Sequence, residues 1–259
     1  MPAAGASAAA VVPHVDWGND FSCHPSATHP RPVVLLHGAG ATAEQNFTLI
    51  GPSLQREGYC VFALTYGIGP LGRPGSLPME QSAAELGQFV ARVRGATGAR
   101  EVDFVGHSEG TMMPRYYLDR LGGARYVKRY VALAPLWRGT AFGGAMAFRD
   151  YTGIIGPLAI GLVNTFCGAC QEILGGSAYL NGLNADGEPS PGVEHINIVT
   201  RYDTVVVPYT SGLMRGGGTN VILQDVCPDD HSGHVALAFD PHVMTLIQGA
   251  LDDHQRDPC

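Results

Sequence analysis

The sequence predicts an α/β fold, a mostly parallel central sheet with helices on both faces, on three observations. Apolar runs such as RPVVLLH (31–37), YVALA (130–134) and INIVT (196–200) recur along the chain. They are short and close to continuously apolar, as in strands buried on both faces. Stretches of helical periodicity separate them, as the crossovers between parallel strands require. The residues with chemical potential follow the apolar runs, and in such sheets functional groups sit in turns beyond the carboxyl ends of strands.

The elements follow in order. Arg31–His37 is read as the first strand, stopped by the glycine turn Gly38-Ala39-Gly40. A helix across Phe47–Glu57 and a strand over Tyr59–Leu64 come next, then a Gly/Pro loop, GIGPLGRPGSLP (67–78). Glu80–Arg94 is amphipathic, with Leu86, Val90 and Val93 at helical spacing. Val102–Val105 is a short buried strand. Thr111–Leu121 is a helix with Pro114 in its first turn, where a missing N–H is tolerated. Tyr130–Ala134, Ile196–Thr200 and Asn220–Val226 are strands, and Pro241–Leu251 is the closing helix. Between 139 and 192 the pattern gives way to glycine-rich, apolar and irregular sequence. That stretch reads either as an insertion walling a hydrophobic pocket above the strand ends or as ordinary connecting helices.

The chain has 259 residues, enough for one large domain with a sizeable core. Residues 1–22 read as an N-terminal arm or the remnant of a signal-peptide junction, and 23–259 as the domain. A net charge of −7 without a basic patch argues against nucleic acid as a partner. The most apolar stretch, Ile154–Val163, is too short to span a bilayer and contains Pro157. The six cysteines are an even number and suit disulfides in a secreted protein. They suit zinc poorly, because Cys167 and Cys170 have no second nearby pair. No cofactor motif and no metal site is read.

The chemistry starts at Gly106-His107-Ser108-Glu109-Gly110. This fits G-x-S-x-G, in which a serine sits on a strained turn between a buried strand and a helix. A serine hydroxyl is a weak nucleophile until an imidazole takes its proton, and a carboxylate must hold that imidazole in one tautomer. For the carboxylate, Arg201-Tyr202-Asp203-Thr204 directly follows the strand HINIVT, and Asp203 is the best placed. Asp225, Asp229 and Asp230 lie too close to the expected histidine loop, and Asp186 has no preceding strand. For the base, the strand NVILQDV runs into a loop carrying both His231 and His234, and spacing does not separate them. His37 and His107 are built into the glycine turns, and His242 and His254 fall in or after the last helix. Two backbone N–H groups must hold the developing oxyanion. Ala39 and Glu109 are the expected donors, the latter with its charge favourably placed at a helix start. Trp137 and Tyr66 follow strands, where aromatic side chains line either a cleft or the core.

The segments LLHGAGATAEQNF, GYCVFALTYG, VGHSEGTMMPRYYL, LAPLWRGT, RYDTVVVPY and QDVCPDDHSGHVALAFDP together resemble the secreted class 2 lipases of actinobacteria, and more distantly the fungal lipase B group. The resemblance implies a secreted α/β-hydrolase fold that cleaves carboxylic esters of apolar acyl groups without a cofactor. It matches Ser108 to the nucleophile, Asp203 to the acid and His234, ahead of an apolar stretch and an Asp-Pro, to the base. An alignment with the fungal segment keeps His231 as an alternative. It carries the oxyanion donors to the amides of Ala39 and Glu109. Fungal relatives add a threonine hydroxyl at the Ala39 position, which this chain lacks. The resemblance also implies the disulfides Cys23–Cys60, Cys167–Cys170 and Cys227–Cys259. Its substrates would be small or lipid esters, with transient contact at a lipid interface. Two other readings use the same residues: a polyester or cutin hydrolase, and a non-catalytic lipid- or protein-binding module on this fold.

Overall fold

The computed structural model describes residues 17–141, 168–252 and 256–259. Among them one sheet contains β1 (Val33–Leu36), β2 (Val61–Leu64), β3 (Val102–His107), β4 (Val127–Leu133), β5 (Glu194–Val199) and β6 (Thr219–Ile222). Their order across the sheet is β2-β1-β3-β4-β5-β6, and every neighbouring pair is parallel. The four residues of β1 are wholly buried, Val33, Val34, Leu35 and Leu36 alike. A strand apolar on both sides needs cover on both, and helices flank the sheet on its two faces. The helices are α1 (Ala43–Asn46), α2 (Ile50–Arg56), α3 (Met79–Thr97), α4 (Glu109–Arg120), α5 (Ala169–Glu172), α6 (Ala178–Leu183), α7 (Leu223–Val226) and α8 (Pro241–Asp252).

The strand order fixes where a site forms. The chain lays β2 on one side of β1 and then returns to lay β3 on the other. The loops leaving β1 and β3 therefore diverge and open a crevice at the carboxyl ends of these strands, where open α/β sheets bind their ligands. The α3 helix buries Met79, Ala83, Leu86, Val90 and Val93. It stops at Gly98, whose left-handed backbone (φ 72°) turns its N–H onto the Arg94 carbonyl.

Residues 17–22 pack onto the sheet edge. Asn19 donates its main-chain N–H to the Val61 carbonyl at 2.9 Å, and its side-chain amide bonds Ala63 on both sides. A segment bonded this way blunts the exposed strand β2. The Cys23–Cys60 disulfide ties it down, with Cα atoms 5.8 Å apart, and Cys227–Cys259 fastens the chain end to the segment after α7. Both pairings agree with the resemblance, while Cys167 lies outside the described residues. So do residues 142–167 of the irregular 139–192 stretch; its described part holds α5 and α6.

Several elements depart from the expected bounds. The helix read over 47–57 is α2, Ile50–Arg56, and a separate short helix α1 precedes it, started by a capping box of Thr42 and Gln45. The strand read over 220–226 ends at Ile222, and 223–226 turn into α7. That turn brings Gln224 inward, where it accepts from the Arg201 N–H and donates to Thr200 Oγ1 and the Asp230 carbonyl. Trp137 and Tyr66 are fully buried core residues; the indole N–H of Trp137 donates to Asn197 Oδ1 at 2.9 Å.

Helix α4 begins at Glu109, not Thr111, so Pro114 lies inside it rather than in its first turn. A proline there cannot donate to the carbonyl four residues back, which belongs to Gly110. The Tyr130 hydroxyl of β4 supplies that bond instead, at 2.7 Å. Tyr130→Phe leaves the carbonyl buried and unpaired, a cost of about 1–3 kcal/mol. Thermal unfolding is expected to fall by about 2–4 °C per kcal/mol. Adding Pro114→Ala restores a backbone donor and should recover much of the loss; a double variant no better than Tyr130→Phe alone would refute this account.

Candidate active site

Ser108 sits at the crossing from β3 to α4 with φ 56° and ψ −121°, a left-handed backbone that a side chain adopts at a cost. The packing around it leaves no other path. A Cβ on Gly106 would lie 2.1 Å from the Gly110 carbonyl oxygen, and a Cβ on Gly110 would lie 2.1 Å from that of Leu36 in β1. The two glycines let helix and strands approach closely enough to force the turn. Ser108 is pinned from both sides, its N–H on the Leu133 carbonyl and its own carbonyl accepting from the Thr111 N–H and hydroxyl.

Loops after β5 and after α7 bring two more groups to this turn. His234 Nε2 is 2.9 Å from Ser108 Oγ, and His234 Nδ1 is 2.9 Å from Asp203 Oδ2. The other carboxylate oxygen of Asp203 accepts from the Val205 and Val206 N–H groups at 2.8 and 2.7 Å. The acid is thus fixed in orientation, and Thr140 anchors its loop by accepting from Val207 and donating to the Val205 carbonyl. With Nδ1–H donated to the carboxylate, Nε2 is the free acceptor facing the serine. The alternative groups are occupied elsewhere. His231 is exposed, with Nδ1 on the Asp229 carbonyl. Asp225 pairs with Arg201, Asp186 with Arg120, and Asp230 with His242.

The turn after β1 faces the serine from the opposite side. Among the described residues the N–H groups of Ala39 and Glu109 have no protein acceptor. Beneath them lies a polar layer that sequence reasoning did not find. Gly38 donates its N–H to Asn46 Oδ1 at 2.8 Å. The His107 ring bridges the same oxygen and the His234 carbonyl, 3.0 Å from each. One imidazole thus ties the Ala39 turn to the main chain of His234. Burial, helped by the neighbouring His234, lowers the His107 pKa to about 3, so the ring is neutral, and its single N–H donates to one of these two oxygens while the ring packs against the other. His37 is likewise neutral, lowered to about 4 by burial, and stacks on Tyr66. The Tyr66 hydroxyl donates to the His37 carbonyl at 2.6 Å. No motif signals Asn46 or Tyr66; both act through residues far from them in sequence. Glu109 is not the favourable helix-start charge read from the sequence. Its carboxyl is buried, and burial together with Glu172 holds it well above the usual carboxylate range.

A clamp behind the base holds its loop. Asp230 accepts from the Ser232 N–H and pairs with His242 Nδ1 at 2.9 Å, while Ser232 donates its hydroxyl to Asp240. The same Asp240 caps α8 by accepting from the N–H groups of His242 and Val243. Asp230, Asp240 and His242 thus form a hydrogen-bonded cluster joining the His234 loop to α8.

A model of the family described as lipase (class 2) matches residues 30–245. Among solved structures the chain is similar to lipase B of Aspergillus fumigatus, with a TM-score of 0.69 at 14% identity, covering 95% of this chain and 57% of that one. It is similar to a Bacillus licheniformis lipase in its propeptide form, with a TM-score of 0.53 at 16% identity, covering 72% of this chain and 38% of that one. A 2-hydroxy-6-oxo-6-phenylhexa-2,4-dienoate hydrolase from a Rhodococcus species aligns with a TM-score of 0.57 at 18% identity, covering 86% of this chain and 91% of that one. At these identities the structures share the fold. The chain spans just over half the length of the fungal lipase.

The clamp carries a pH dependence. The hydrogen bond to Asp230, with Asp240 nearby, raises the His242 pKa above its ordinary value. The folded chain therefore binds this proton more tightly than the unfolded one. The stabilisation is full below the unperturbed value of about 6.5 and is lost as pH rises through the higher folded value. The gap in melting temperature between wild type and His242→Gln is expected to shrink from about pH 6 to about pH 9. A gap that stays constant would mean that the ion pair contributes nothing.

Proposed function

The chain belongs to the class 2 lipase family of the α/β-hydrolase superfamily, and we propose that it is a serine carboxylic ester hydrolase with Ser108, His234 and Asp203 as its triad. One observation carries this reading, the continuous line from Ser108 Oγ through His234 to Asp203 with 2.9 Å at each step. Ser108 attacks the ester carbonyl carbon while its proton passes to His234 Nε2. Asp203 stabilises the imidazolium that results. The amides of Ala39 and Glu109 receive the oxyanion, supported by their lack of other acceptors. The tetrahedral intermediate collapses, the imidazolium gives its proton to the departing alcohol, and water releases the acid from the acyl-serine by the same steps.

Apolar acyl esters, triglycerides among them, are the substrate class. Tyr202 and Val235, next in sequence to Asp203 and His234, are exposed apolar side chains suited to a lipid surface. None of the described helices is long and apolar enough to cross a membrane. The two disulfides suit action in an oxidising, extracellular setting, and the branch its motifs resemble is the actinobacterial one.

Hydrolysis of p-nitrophenyl butyrate tests the assignment. Ser108→Ala and His234→Ala are each expected to lower kcat/KM by roughly three orders of magnitude or more. Asp203→Asn should lower kcat by about ten-thousand-fold, whereas His231→Ala stays near wild type. Turnover lost in His231→Ala and kept in His234→Ala would remove His234 as the base.

A further inference from the structure

Beyond the triad and its backbone donors, one group beside the nucleophile has no assigned task. The Glu109 side chain is 1% exposed, and neither of its carboxyl oxygens has a hydrogen-bond partner among the described residues. The titratable groups facing it are Tyr66, from the segment after β2, and Glu172, from α5. Neither offers a positive charge. A carboxylate so placed would be desolvated without compensation, a far larger cost than burying the neutral acid.

The contacts give the acid a place in the oxyanion hole's support. A Cβ on Gly75 would come within 2.8 Å of Glu109 Oε2 and 3.1 Å of the Ala39 Cα. The carboxyl, the Gly75 turn and the Ala39 turn are therefore one packed stack. The Tyr66 phenol also comes near the carboxyl. Its single proton is already given to the His37 carbonyl at 2.6 Å, at the start of the same turn. The phenol's nearness favours the ionised carboxyl, but less than burial and Glu172 favour the neutral one.

We propose that the Glu109 side chain is a positioning residue for the oxyanion hole, wedged as a neutral carboxylic acid against the His37–Ala39 turn, and that ester turnover fails when it ionises. Ionisation places a negative charge, in a low-dielectric surrounding, on the residue whose amide must receive the oxyanion. Burial and the Glu172 carboxyl push the Glu109 pKa well above the usual carboxylate range, the direction that favours the neutral acid. This inference rests on the serine-hydrolase reading above.

The test is the pH profile of kcat for p-nitrophenyl butyrate, corrected for spontaneous hydrolysis. Wild type and Glu109→Gln are followed from about pH 6 to the alkaline limit of folding set by circular dichroism. Wild type is expected to lose activity on the alkaline side at about tenfold per pH unit, the slope of one lost proton. Glu109→Gln cannot ionise and keeps nearly the same shape. It should turn over several-fold more slowly at neutral pH and show no alkaline limb. The same limb in the variant, or a wild type flat to the limit of folding, overturns the proposal. Should Glu109→Gln not fold, the infrared band of a protonated carboxyl decides on the wild type alone. A band that disappears together with kcat as pH rises supports the proposal, and its absence at neutral pH or its persistence after kcat has fallen overturns it. A folded wild type without turnover fails the serine-hydrolase reading, while the infrared measurement still reports the state of Glu109.

Discussion

The rest of the site depends on one steric constraint, the close crossing of β3 and α4 beside β1. With no room for a Cβ at Gly106 or Gly110, the chain turns between strand and helix in a single residue. That residue, Ser108, takes up the strain in a left-handed backbone. The same turn fixes three directions at once. The serine hydroxyl meets His234 Nε2, the Glu109 N–H heads the helix, and the α4 dipole favours negative charge at that end. The cost is met within the sheet, where Ser108 is hydrogen-bonded to the end of β4 and to Thr111.

Around this turn the protein keeps its buried ionisable groups uncharged. His37 and His107 lose their protons to burial, and Glu109 keeps its own. Asp203 accepts instead from two backbone N–H groups and contacts the His234 ring. The arrangement suits acyl transfer. Charge develops in the transition state on the oxyanion and the imidazolium, and fixed dipoles act most strongly where no other charge competes. His107 adds a mechanical link, because one neutral ring touches both the side chain that orders the Ala39 turn and the backbone of the base.

The catalytic loops are held by different means. The Asp203 loop is tied through Thr140 to the segment after β4. The His234 loop is held by the Asp230–His242 pair, by Asp240 at the start of α8, and by Gln224 from α7. The Cys227–Cys259 bridge closes the base of that loop covalently. Each device acts between segments far apart in sequence, so the two loops meet at the serine with little freedom left to lose on binding substrate.

The sequence by itself determined the parallel sheet, the serine turn and the acid after β5. Each is a local pattern: a continuous apolar run, a glycine on either side of a serine, a carboxylate directly behind a strand. It also offered Ala39 and Glu109 as candidate amide donors, because their place is set by the turns that hold them. Local pattern could not choose between His231 and His234, three residues apart in one loop, and only the resemblance favoured the second. The tertiary structure alone decided that Pro114 lies inside a helix, that residues 223–226 turn inward, and that Asn46, Tyr66 and His107 support the site. It also decided that Glu109 is a buried acid without a counter-charge among the described residues. The reason is physical: backbone geometry is written in neighbouring residues, whereas burial, hydrogen-bond partners and protonation depend on groups that meet only when the chain has folded.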